Sequence, residues 1–150
     1  MKSRYAKFNE KIIRTFNRGD AWKIIHGECD GVTYASDAVY YLVGYVGEKV
    51  PFNFDIMGMP VNRSIPDLVK RVTKESGTVV ELDPENTIQI GAYSCVPAKI
   101  GEETEYYDKK LLGLLAKGSY DYRTDGAALY VFPAGNNMPC MILAPLRFKK

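Results

Sequence analysis

The chain has 150 residues, 46% hydrophobic and 25% charged, which suits one globular domain with its own core and excludes a disordered or fibrous chain. A net charge of +2 excludes a uniformly basic nucleic-acid packager, so contact with phosphates depends on how the charges are arranged. Cys29, Cys95 and Cys140 have no framework spacing, no run approaches the ~20 apolar residues of a membrane span, and Lys2, Arg4, Lys7, Glu10 and Lys11 leave no apolar signal core, so reduced thiols, a cytoplasmic location and no membrane contact are expected.

Tyr5 to Arg18 is expected to form an amphipathic helix, with Asn17 and Gly19 as its stop. At about 100° per residue, Tyr5, Phe8, Ile12 and Phe16 gather on one side as a buried stripe, and Lys7, Lys11, Arg14 and Arg18 gather directly behind it. Ala21 to Glu28 and Val32 to Ser36 read as strands around an Asp30-Gly31 turn, which meets the positive φ that a two-residue hairpin demands. Ala38 to Val46 is rich in β-formers and is expected as a strand, although Ser36 equally suits the cap of a short helix. Val50 to Ile56 reads as a further strand, entered through Pro51. Met57-Gly58-Met59-Pro60 then breaks the pattern as a connector, which either crosses the rim of the core or offers an adaptable contact surface.

Ser64 is expected to cap a second helix over Ile65 to Glu75, with Pro66 in its first turn, Ile65, Leu68, Val69 and Val72 buried, and Arg71 and Lys74 outside. Val79 to Leu82 and Thr87 to Ile90 read as strands around a turn of Asp83, Pro84, Glu85 and Asn86, and Ala92 to Ile100 as another strand. Tyr106 to Lys117 has helical apolar spacing in Tyr107, Leu111, Leu114 and Leu115, with Gly118 as its stop. Ser119 to Thr124, an Asp125-Gly126 hairpin turn, Ala127 to Phe132 and Cys140 to Phe148 complete the chain as strands.

The fold class is therefore α+β, with three units of helix plus antiparallel strands at about 1–60, 61–101 and 102–150. An ordinary α+β domain in which helices and hairpins merely alternate gives the same pattern. If the helices share one face of the sheets, that face is cationic. Lys7, Lys11, Arg14, Arg18, Arg71 and Lys74 are then candidate contacts to duplex phosphates, against the plain alternative of a solvated charged helix face. Catalytic patterns are incomplete. His26-Gly27-Glu28 with Pro139-Cys140 matches part of a zinc deaminase signature, but Leu143 stands where a second thiolate is needed. No phosphate-cradling glycine loop is present, and no catalysis, metal or cofactor is expected.

The closing segment, Pro139-Cys140-Met141-Ile142-Leu143-Ala144-Pro145-Leu146-Arg147-Phe148, resembles the end of the bacterial DNA polymerase III β sliding clamp family. That family closes on an apolar strand followed by Met-Pro, an apolar residue, Arg and an apolar residue. Ala144 here replaces the methionine, Phe148 replaces the usual leucine, and Lys149-Lys150 extend further. Gly27 to Asp37 is similar to the family's hairpin, in which Asp-Gly leads into an Ala-Thr-Asp step, with Ser36 at the threonine. The resemblance implies a DNA-clamp-like architecture with helices lining the inside and sheets outside. It also implies a non-enzymatic processivity or client-tethering role on double-stranded DNA, without sequence specificity. Its client-peptide pocket would involve Met141, Pro145, Leu146 and Arg147. The chain holds fewer units than a full clamp subunit, so a ring would need a homo-oligomer. A protein-binding module without nucleic acid, using Met57, Met59 and the terminal strand, is the alternative.

Overall fold

Helical spacing of apolar residues dictates the first element. In the computed structural model, which describes residues 3–147, Ala6–Asn17 forms helix α1, and Gly19, at a φ of 78°, ends it as expected. Tyr5, Phe8 and Ile12 are buried together. Phe16, expected in the same stripe, is 44% exposed, because the last helical turn carries it beyond the cluster those three residues enter.

Strands β1 (Ile25–Cys29), β2 (Val32–Ser36) and β3 (Tyr41–Gly44) make an antiparallel meander. Asp30 and Gly31, at φ of 49° and 80°, form the predicted tight turn. The expected strand from Ala21 begins only at Ile25, because Ala21–Lys23 closes a 3-10 turn. Val50 to Ile56 is not a strand. Asn53 Oδ1 accepts from the Ile56 N–H at 3.0 Å, and the segment turns so that Phe54 and Met59 plug the core. Helix α2 (Ser64–Lys70) stops short of Glu75, and the Asn62 side chain, rather than Ser64, accepts from its first N–H at 2.8 Å.

A second meander follows later in the chain: β9 (Tyr120–Thr124), β10 (Leu129–Pro133) and β11 (Met141–Leu143). Asp125-Gly126 lies in a four-residue connection rather than a two-residue turn, since Thr124 pairs with Leu129. The two meanders join through β3 and β11, and β4 (Thr78–Val79) adds to β9, giving the order β1-β2-β3-β11-β10-β9-β4. A second antiparallel sheet is built on β7 (Tyr93–Ile100). Strand β8 (Glu103–Asp108) covers one edge of β7, and β5 (Glu81–Leu82) and β6 (Ile88–Ile90) share the other. The turn at Asp83 to Asn86 thus links two strands that pair with β7 and not with each other.

The expected helix over Tyr106 to Lys117 is the largest difference. Glu103–Asp108 is extended, paired along β7 from Ile100 to Cys95, and only Lys109–Leu112 is helical, as α3. Tyr107 satisfies both a helical and an alternating pattern, and the six-residue ladder decides between them.

Alternation along the large sheet sorts its side chains into two cores. Ala35, Tyr41, Val43, Leu129, Val131, Met141 and Leu143 face α1, the second sheet and Leu111 and Leu112 of α3. Tyr34, Leu42, Tyr130, Phe132 and Ile142 face Ile65 and Val69 of α2. The expectation that all helices lie on one face is therefore not met: α2 packs on the face opposite α1. Nor does the middle segment repeat the first, because its strands are divided between two sheets. The fold is α+β with antiparallel sheets. The outer edge of β1 is occupied by residues 60–62: the His26 N–H donates to the Pro60 carbonyl at 3.0 Å, and the Asn62 N–H to the His26 carbonyl at 2.8 Å.

Candidate nucleic-acid interface

The cationic side of α1 follows from its buried side. With Tyr5, Phe8 and Ile12 held in the core, helical geometry turns Lys7, Arg14 and Arg18 outward, and all three are exposed. Lys11 is half-buried at the rim, its ammonium 5.9 Å from the centre of the Tyr41 ring. Lys7 to Arg18 spans about 17 Å at the helical rise. Among the described residues no ion pair engages Lys7, Lys11, Arg14 or Arg18. These four form one continuous surface.

Arg71 and Lys74 do not belong to it. Arg71 follows α2 on the opposite face, and Lys74 binds the carboxylate of Asp121. That hydrogen bond is the main cause holding the Asp121 carboxyl below its ordinary range. Helical periodicity groups the two residues with the cationic face, but it cannot reveal the side of a sheet on which a helix lies.

The residues of the expected client pocket are dispersed. Met141 is fully buried in an interior strand, facing α1, and lines no surface. Pro145 and Leu146 are half-buried, with the Leu146 N–H donating to the Tyr106 carbonyl at 2.8 Å beside β8. Arg147 is exposed and pairs with Glu105 at 3.3 Å. Phe148 lies outside the described residues. Met59 is likewise buried, and Met57 packs against the core.

The partial deaminase pattern is not assembled. Cys140 is fully buried, and burial pushes its thiol up to about 12. His26 pairs instead with Asp55 at 3.3 Å and packs beside Phe54. No group of three metal-ligating side chains occurs among the described residues.

Sequence reasoning missed a groove of about 650 Å³ at the Arg18 end of α1. Lys11, Thr15 and Arg18 form one wall, and the turns that carry Trp22 and Tyr40 form others. Trp22 sits on the 3-10 turn and is 67% exposed, and Tyr40 is 54% exposed. The turn before Tyr41 is firmly built. Asp37 Oδ1 accepts from the N–H groups of Val39, Tyr40 and Tyr41 at 3.0, 2.8 and 3.1 Å. Ser36 Oγ accepts from Ala38 N–H at 2.9 Å and donates to the Tyr41 carbonyl at 2.6 Å. Ala38 is held at a φ of 67°, a strained value for a residue with a Cβ. The signal available in the sequence was Ser36-Asp37 ahead of Val39-Tyr40, a side-chain-capped turn that would project apolar residues.

Comparison of the chain with protein families, with curated proteins and with solved structures finds no match.

Proposed function

We propose that the protein is a non-catalytic, DNA-associated tethering protein that lies along duplex phosphates through the outer side of α1. The observation that carries this reading is the alignment of Lys7, Lys11, Arg14 and Arg18 on one surface, with no carboxylate paired to any of them among the described residues. A solvated helix face of ordinary composition mixes signs. On this one, Glu10 is the only acid within α1. Cations held at helical spacing displace condensed counterions from DNA and need no base contacts, so the binding is independent of sequence. The processivity and client-tethering role implied by the clamp resemblance belongs to the same proposal, but with DNA against α1 alone, since α2 faces the other way. The reading without nucleic acid is weakened, because Met59 and Met141 are in the core. Titration of a short labelled duplex at low and high salt is the direct test: affinity that is absent at low salt, or unchanged between the two, would remove the DNA reading.

A further inference from the structure

Large aromatic side chains are normally mostly buried, and their exposure next to unpaired cations needs a reason. The groove beside α1 combines two observations. Trp22 and Tyr40 are both exposed and both line it. Its charged lining residues are Lys11, Arg18, Lys23, Asp20, Asp37 and Asp108; Lys23 pairs with Asp20, and Asp37 and Asp108 accept from backbone N–H groups, so Lys11 and Arg18 have no carboxylate partner among the described residues.

We propose that this groove takes an unpaired nucleobase, stacked on Trp22 or Tyr40, with the phosphates flanking that base held by Lys11 and Arg18. A flat π-face explains the exposed rings, and an anion explains Lys11 and Arg18, which have no carboxylate partner among the described residues. The groove continues the α1 surface at the Arg18 end, so a strand leaving a duplex on α1 enters it directly. The inference rests on the DNA reading above and refines it: the preferred ligand is a junction of duplex and single strand rather than uninterrupted duplex.

Trp22 is the only tryptophan, so its emission reports on the groove without a label. Two DNA ligands are compared in low salt on the full chain: a blunt duplex, and the same duplex carrying a thymidine overhang. The overhang is expected to bind more tightly and to quench the emission, whereas the blunt duplex binds without quenching. Trp22→Ala should weaken overhang binding by about 5- to 150-fold, the loss of stacking for one base, and leave the blunt duplex unaffected. Tyr40→Leu, which keeps apolar bulk and removes the ring, should also weaken the overhang selectively. Equal affinity for both ligands with unaltered emission overturns the groove assignment and leaves the duplex reading standing. Failure of both ligands to bind overturns that reading and the groove with it.

Discussion

The number of cations that touch DNA together is the quantity the fold decides. For duplex DNA, the slope of log affinity against log salt is about −0.9 per neutralised phosphate. With the four cations of α1 engaged, the slope is about −3.6, and affinity falls about 150-fold between roughly 50 and 200 mM salt. If Arg71 and Lys74 also took part, as a shared helix face would require, the slope would be about −5.4 and the fall about 2,000-fold. Since α2 packs on the opposite face and Lys74 is bound to Asp121, the smaller value is expected. Arg14→Ala should bring the slope to about −2.7 and the fall to about 40-fold. Arg71→Ala and Lys74→Ala should leave the slope at its starting value. Fluorescence anisotropy of a labelled duplex across a salt series measures each slope, and thermal melting confirms that the variants are folded. A slope that drops with Arg71→Ala but not with Arg14→Ala would refute the assignment of the binding surface to α1.

Three other predictions address the scaffold. Gly44→Ala places a Cβ 2.2 Å from Cε1 of Tyr34, the residue directly across the ladder, whose hydroxyl is tied to the Pro139 carbonyl at 2.9 Å. A cost of about 3 kcal/mol and a melting midpoint lower by about 6–12 °C are expected in calorimetry, and a midpoint unchanged within error would contradict this packing. The Asp125 carboxyl is raised by desolvation but lowered more by the Tyr130 hydroxyl and the N–H groups of Ala127 and Ala128, so its folded pKa lies below the ordinary value. Its contribution is thus complete above the unfolded value of about 3.9 and is lost as pH falls through the lower folded value. Asp125→Asn, which keeps the amide acceptor and loses the charge, should flatten the acid dependence of urea stability in that window, and an identical acid profile would show that the pairing contributes nothing. Cys29, Cys95 and Cys140 are buried, and desolvation is the leading cause raising each thiol. A thiol reagent at neutral pH should label none in the native protein and all three after denaturation, while rapid native labelling would contradict the burial.

Local rules were legible where local forces decide. The apolar stripe of α1 gave Tyr5, Phe8 and Ile12 as buried, though not Phe16, and its cationic side, and Asp30-Gly31 gave a turn of the right hand. Rules failed where distant partners decide. Glu103–Asp108 has side chains compatible with a helix but lies along β7, whose backbone groups need a neighbour. Val50, Phe52 and Phe54 alternate like a strand, yet they pack on the core from a turning segment around Asn53. The basic side of α1 was readable, but the groove was not, because Trp22 and Tyr40 meet only through the arrangement of β1, β2 and β3. Periodicity also cannot tell which face of a sheet a helix covers, and this separated Arg71 and Lys74 from the other four cations.

Residues 60–62, lying against β1, have a bearing on how copies of the chain meet. A bare strand offers its row of donors and acceptors to any similar strand, and that is how extended sheets recruit further molecules. At this border His26 in the middle of the row is already engaged, while at the far border β4 is only two residues long. Growth by adding strands therefore finds no adequate template at either end of the large sheet. Copies that meet at the large sheet thus do so through side-chain surfaces rather than through added strands.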